Sequence, residues 1–306
     1  MSKIVNAAAP HIHSGNSTRR VMLDVIIALL PATVAAIIIF GVKAALVVGT
    51  CIVSAVVAEL LFNLITKRPQ SVGDLSAVVT GLLLGLNLST NVPAWQCVIG
   101  SAFAIIVVKC LFGGLGHNFA NPAITGRVFM LIAFAAVAGG ALPDAVTGAT
   151  PLETLGQGSV EGLPALTDML LGLRGGAVGE GCIVALVAGY VYLVCRKVIK
   201  WYIPVAFIGT TFVCFLLASG FDVTFALYEI LSGGLFLGAI FMATDYVTTP
   251  VTGSGRLIFG VCCGLITFAI RQFCAYPEGV SFSILIMNIL SPWLEMITMK
   301  KPLGGG

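Results

Sequence analysis

Apolar residues run along this chain in long, nearly uninterrupted windows, and its polar residues are confined largely to the gaps between them. A helix needs about 20 apolar residues to cross a hydrocarbon layer, so windows of that order mark candidate spans. Ten are present, at roughly 21–41, 43–65, 73–89, 95–112, 124–141, 180–195, 202–219, 225–243, 255–271 and 279–298. The pattern predicts an all-α polytopic membrane protein of about ten transmembrane helices. A tail over 1–20 precedes five helices over 21–141, a polar loop over 142–179 separates them from five more over 180–298, and a second tail covers 299–306. No small-residue cleavage site trails the first window, which therefore reads as a retained helix and not a signal peptide.

Composition agrees with this reading. Residues are 58% hydrophobic and 9% charged with a mean hydropathy of +1.06, whereas a globular domain carries about 25% charged residues on its surface. The small net charge of +3 and the lack of a dense basic run argue against a nucleic-acid partner. Topology explains the cations better. With the N-terminus in the cytoplasm, Lys3, Arg19, Arg20, Lys67, Arg68, Lys109, Arg127, Arg196, Lys197, Lys200, Arg256, Lys300 and Lys301 fall inside, leaving Lys43, Arg174 and Arg271 outside. That bias follows the positive-inside rule and places both tails in the cytoplasm and the 142–179 loop outside.

Repetition adds a functional hint. The third window contains GLLLG over 81–85 and runs out into NLSTNVP; the eighth contains GLFLG over 234–238 and runs out into ATDYVTTP. Five windows separate them, so the copies point in opposite directions, as in two inverted five-helix repeats whose broken helices line a path for a solute or ion. Gly and Leu are abundant here, and coincidence is the alternative. If the ends of these spans meet, Asn87, Thr90, Thr244, Asp245 and Thr248 bring oxygen ligands toward one region, suited to a hard cation. The alternative for Asp245 is a solvated helix end paired with Arg256.

Other polar groups inside the windows are scarce. An ionised side chain at the bilayer centre costs about 2.5 to 3.5 kcal/mol on insertion scales, so Glu59, deep in the second window, is expected to face protein or water, as an ion-pathway group or as a neutral hydrogen-bonded acid. Asp24 lies one turn from Arg20 and is expected to pair with it, and Glu229 and Glu295 lie near span ends. In FGGLGHNFANPAITGR, 112–127, Asn118, Asn121 and Thr125 are candidates to turn amide and hydroxyl groups into a cavity, with Asn121 as N-cap and Pro122 at the first helical position. The nine cysteines show no C-x-x-C spacing and read as small hydrophobes, and His11 and His13 are weak evidence for a metal, so no metal site is expected.

The longest polar gap carries DAVTGATPLE, 144–153: a carboxylate, hydroxyls, small residues and a proline in ten positions. Taken alone, T-G-A-T-P reads as an ordinary turn. Together with PHIHSGNSTRRVMLDVIIALLPA, FGGLGHNFANPAITGR and FMATDYVTTPVTGSGR it resembles the D-subunit family of the Rnf complexes, related to the B subunit of the sodium-pumping NADH:quinone oxidoreductase; the likeness covers essentially the whole chain. The chain's length fits the Rnf branch, whose relative typically has a longer N-terminal extension.

The resemblance implies that D-x-x-T-G-A-T is an acceptor sequence for covalent FMN. Thr150 would carry the flavin through a phosphoester, with Asp144, Thr147, Gly148 and Ala149 as the attachment motif read by a separate flavin transferase. It further implies a bacterial inner-membrane complex with A, B, C, E and G subunits, passing electrons between ferredoxin and NAD and moving Na⁺ or H⁺. This chain would be one component of that translocase and not catalytic alone. A second, non-covalent flavin such as riboflavin is allowed. The competing class, which the windows fit equally well, is a stand-alone channel or secondary transporter for a small polar solute.

Overall fold

The computed structural model describes residues 17–134, 151–156, 163–172, 174–274 and 278–299. A helical element lies on each of the ten apolar windows. These are α1 Thr18–Phe40, α2 Val42–Ile65, α3 Ser76–Leu86, α4 Ala94–Cys110 and α5 Pro122–Ala133 in the first half, and α8 Ile183–Cys195, α9 Tyr202–Ala218, α10 Val223–Leu231 with α11 Leu235–Met242, α12 Gly253–Phe273 and α13 Val280–Thr298 in the second. Two short helices, α6 Pro151–Gly156 and α7 Leu166–Leu171, lie in the connecting segment.

Among the described residues α1, α2, α12 and α13 are each long and apolar enough to cross a membrane. Their outer faces expose Ile38, Ile65, Phe273 and Ile297, each between 77 and 79% accessible. Such exposure of large apolar side chains is what a lipid-facing surface requires. The chain is a multi-pass membrane protein.

Local chemistry sets where the helices begin. Ser17 caps α1 by accepting from Arg20 N at 3.3 Å, Asp222 caps α10 by accepting from Thr224 N and Phe225 N, and Thr252 caps α12 through Gly255 N. Each side-chain oxygen fills the valence of an otherwise orphaned amide. In α4 the hydrogen bonding widens to a π-helix over Phe103–Cys110, and in α11 over Gly238–Met242.

Two windows depart from the sequence expectation. The third is helical only over Ser76–Leu86, too short to cross alone. The eighth is not one span but two helices meeting at 65° across Ser232–Gly234, where Gly233 takes a left-handed φ of 67° that a side chain would strain. Both half-helices are buried at the centre. In α3 all residues but Val78 are buried, and in α11 all but Phe236.

The packing pairs recur between halves. α2 packs on α3 and α4, α9 packs on α10 and α12, α1 meets α8, and α5 meets α13. The glycines of GLLLG let α3 approach α2 closely: a Cβ on Gly81 would lie 2.6 Å from Cys51 O, and one on Gly85 2.8 Å from Val48 Cα.

Some of the cations that mark topology are buried. Lys109 pairs with Glu59, Arg127 with Glu278 and Arg271 with Glu229, and Arg174 donates to the Glu180 carbonyl. Burial holds them in place regardless of loop location, so two residues leave each side of the tally and the bias stands. Asp24 pairs with Arg196 at 3.2 Å and accepts from Tyr192, not with Arg20 as expected. Glu229, expected near a span end, is buried.

Candidate functional site

α3 and α11 run in opposite directions, so each end of the pair joins the start of one half-helix to the tail of the other. At one end Ser76, Val79, Thr80 and Leu83 of α3 face Phe241, Thr244, Asp245 and Tyr246 across a cavity of about 80 Å³. α1, the cap of α5 and the end of α8 complete its walls through Val21, Asn121 and Leu193, among others.

Two asparagines shape this cavity. Asn121 is the N-cap of α5, accepting from Ala123 N at 3.0 Å and Ile124 N at 3.4 Å, with Pro122 at the first helical position. Its Nδ2 donates to Met242 O at 3.3 Å, tying α5 to the tail of α11. Asn118 donates to Ala120 O, and its Oδ1 is buried with no hydrogen-bond partner. An orphaned buried acceptor costs about 1 to 3 kcal/mol, which a ligand N–H would recover. Thr125 does not join them, because its hydroxyl is spent on Asn121 O, one turn back on its own helix.

Glu59 reaches the cavity indirectly. Both its oxygens accept from Lys109 Nζ at 2.9 Å, and Ser71 Oγ donates to Oε1 at 2.5 Å. Lys109 also donates to Ser76 Oγ at 2.6 Å, and Ser76 Oγ donates in turn to Asp74. Glu59 is thus half of a buried ion pair. Lys109 and Ser76 line the cavity themselves. Sequence reading missed both, although a lysine inside FAIIVVKCLF is a charge demanding a partner.

Asp245 lies just beyond α11 at the cavity wall. Its oxygens accept from Val247 N at 3.2 Å and Thr248 Oγ1 at 3.4 Å, and burial pushes its pKa up to about 6. It does not pair with Arg256, which donates to Pro250 O. Thr244 donates back to Ile240 O.

The five oxygens expected to converge do not. Thr244, Asp245 and Thr248 gather at the cavity end, whereas Asn87 closes α3 at the opposite end and Thr90 lines a separate groove with Lys43 and Thr50. The reason is geometric: inversion sends equivalent tails to opposite faces. Asn87 instead reaches α11 sideways, with Nδ2 donating to Leu83 O at 2.7 Å and to Met242 Sδ at 3.2 Å.

At that opposite end the break before α11 is held by Arg271, which donates to Glu229 O at 2.6 Å, Glu229 Oε2 at 3.3 Å and Ser232 O at 3.1 Å. Arg127 of α5 pairs with Glu278 beside it. A Cβ on Gly233 would lie 2.9 Å from Arg271 Nη2 and 3.3 Å from Leu152 of α6, so a buried cation stands close to the start of α6. Asp144, Thr147, Gly148, Ala149 and Thr150 lie outside the described residues.

Comparison with known proteins agrees with this architecture. The model of the NQR2, RnfD, RnfE family matches residues 5–304. The chain is 43% identical to the D subunit of the Na⁺-translocating ferredoxin:NAD⁺ oxidoreductase complex of Acetobacterium woodii, over 97% of this chain and 94% of that one. It is 37% identical to the D subunit of the proton-translocating ferredoxin:NAD⁺ oxidoreductase complex of Clostridium ljungdahlii, over 97% and 95%. It is 36% identical to the D subunit of the ion-translocating oxidoreductase complex of Cronobacter sakazakii, over 97% and 98%.

Proposed function

The chain belongs to the NQR2, RnfD, RnfE family, and on that premise we propose that it is the flavin-carrying membrane subunit of a complex that couples electron transfer between ferredoxin and NAD to movement of Na⁺ or H⁺. The observation that carries this is the full-length likeness to the D subunit of such complexes. Relatives named for either ion lie at similar identity, and oxygen-lined sites suit both. Its partners would be the A, B, C, E and G subunits, with ferredoxin and NAD bound elsewhere in the complex. The membrane would be the bacterial inner membrane, with both tails cytoplasmic and the 142–179 loop outside. The basic-residue bias supports that orientation.

Thr150, within D-x-x-T-G-A-T, would hold FMN as a phosphoester placed by a flavin transferase. Two features of the chain fit the group. A threonine hydroxyl can form the ester, and Pro151 disfavours the helical region for Thr150, in keeping with an extended acceptor segment. A second, non-covalent flavin such as riboflavin would find an unpartnered acceptor, Asn118 Oδ1, at the wall of the cavity between α3 and α11. When bound, a flavin passes electrons singly or in pairs. The chain's own part is to position it, exclude water and hold ions near the path.

The test is ultraviolet fluorescence of the denatured protein after co-expression with a flavin transferase. A fluorescent band at the chain's mass is expected, and its loss in Thr150→Ala with insertion unchanged. A dark parent band would favour a plain transporter, and a flavin retained in Thr150→Ala or mapped to Thr147 would refute the assignment. Cysteines at Gly156 and Gln70 test the orientation: an impermeant maleimide should label the first in intact cells and the second only after opening the membrane.

A further inference from the structure

The start of α1 and the turn after α8 enclose a second opening, a groove of about 410 Å³. Arg20, Asp24, Arg196 and Lys197 line it together with Ser17 and Tyr246, so three cations face one carboxylate. That carboxylate is already spent. Asp24 is buried, both its oxygens accept from Arg196 Nη2 at 3.2 Å, and Tyr192 donates to Oδ1 at 3.0 Å. Arg20 and Lys197 are exposed and make no ion pair within 4 Å among the described residues. Two positive charges are therefore left uncompensated on the walls of one groove.

The cations are held by ordered backbone. Arg20 sits in the first turn of α1, and the turn that carries Lys197 is closed by Lys197 N donating to Val194 O and Val198 N to Leu193 O, each at 3.0 Å. Arg196 is fixed by its bidentate contact with Asp24. A polyanion met here finds its counter-charges already placed, which spares it part of the ordering cost of binding.

The surroundings mark the depth of the groove in the membrane. Trp201 is exposed, its ring lies 4.7 Å from that of Tyr202, and Tyr190 donates to Trp201 O at 3.3 Å. Tryptophan and tyrosine collect at the level of lipid headgroups, and Arg196 and Lys197 lie between these aromatics in the chain. Below that level both helices turn greasy. An exposed apolar stripe of Leu23, Ile27 and Leu30 continues from Arg20 along α1, and one of Val184, Val187 and Val191 runs up α8 to Arg196.

We infer that this groove seats the phosphate of an anionic phospholipid, with Arg20, Arg196 and Lys197 around the phosphate and the acyl chains lying against the stripes of α1 and α8. Basic pockets between transmembrane helices bind such headgroups. A zwitterionic lipid brings its own cation to a groove that already has two too many. Free inorganic phosphate offers the same charge and leaves the apolar stripes uncovered, so the lipid is the better match. Val21, Val198 and Tyr246 line both this groove and the cavity between α3 and α11. The lipid headgroup thus lies against the outer wall of that cavity.

The test uses the full-length chain, purified in detergent and stripped of lipid. Native mass spectrometry then counts adducts while dioleoyl phosphatidylglycerol, dioleoyl phosphatidylcholine or inorganic phosphate is titrated in. The parent is expected to take up one phosphatidylglycerol well before any phosphatidylcholine. Arg20→Gln and Lys197→Gln should each weaken that adduct by about fivefold, the scale of one cation facing an anionic lipid. Lys67→Gln removes the same charge from an exposed position outside the groove and should bind as the parent does. Equal uptake of the two lipids by the parent, or an equal loss in Lys67→Gln, overturns the site. Displacement of the lipid by an equal concentration of inorganic phosphate would show a phosphate site and refute the lipid as occupant. Melting temperatures of the stripped proteins check folding, and should one groove variant fail to fold the other decides.

Discussion

The two ends of the α3–α11 pair are built from equivalent parts and left in different states. At the cavity end the start of α3 is closed: Glu59, Lys109, Ser76, Ser71 and Asp74 satisfy one another. At the other end the start of α11 is incompletely satisfied: Arg127 pairs with Glu278 and Arg271 with Glu229, yet Arg127 Nε and Nη1, Arg174 Nε and Arg271 Nε have no hydrogen-bond partner among the described residues. The glycine motifs differ in the same sense. GLLLG presses both glycines against the backbone of α2, while GLFLG presses Gly238 against Val280 of α13 and leaves Gly234 facing oxygens. One copy of the repeat is thus pressed against neighbouring backbone and the other against side chains, and spacing alone does not tell them apart.

The largest effect should come from breaking the closed end. Lys109→Met strands a fully buried Glu59, and losing one partner of a buried pair costs about 3 to 5 kcal/mol. A thermal-unfolding scan in detergent should show a large drop, largely restored by adding Glu59→Gln. A tolerated single substitution would mean that this network is not closed.

Next comes the contrast between the glycines. Gly81→Ala forces a methyl into the α2 backbone and should cost about 1 to 3 kcal/mol, as overpacking does. Gly234→Ala should be much the milder of the two in the same scan. Equal melting shifts would erase the distinction between the two copies.

Asp245 sharpens the comparison through pH. Its pKa is raised by burial to about 6, so it is charged above that value and neutral below it. Ion uptake per electron in liposomes should fall as the pH on the cavity side drops through about 6. Asp245→Asn should show low uptake at every pH with flavin content and electron flux retained, and an inflection that persists in this variant would assign the titration elsewhere.

The smallest effect is expected at Asp24. Its partner Arg196 is 42% exposed, and solvent-screened pairs contribute about 0 to 1 kcal/mol. Asp24→Asn should shift the melting temperature little. A loss as large as that of Lys109→Met would show that exposure is a poor guide in this chain.

What the sequence made legible was whatever depends on neighbours in the chain. Apolar windows located all ten helical regions, and Asn121-Pro122 marked the start of α5 because cap and first turn are adjacent residues. Glu59 could be singled out as needing protein contact, but its partner lies 50 positions away, and Arg127 meets Glu278 across 151. No local pattern links such pairs; the packing of α2 against α4 and of α5 against α13 does. Thr125 was a foreseeable miss, since a helical threonine commonly satisfies itself on the carbonyl one turn back. Thr90 and Asp245 were grouped by analogy of position, and inversion is what separates them.

The π-helical stretch of α4 carries a consequence for how this chain can change in length. A π turn holds one residue more than an α turn, and removing it would restore ordinary winding. Each residue of an α-helix turns the chain by about 100°, so a one-residue deletion between Phe103 and Lys109 would swing the lysine away from Glu59. Side chains along that stretch can be exchanged one for another with the register intact. Its residue count cannot, and among variants of this protein insertions and deletions should be absent there even where the sequence drifts freely.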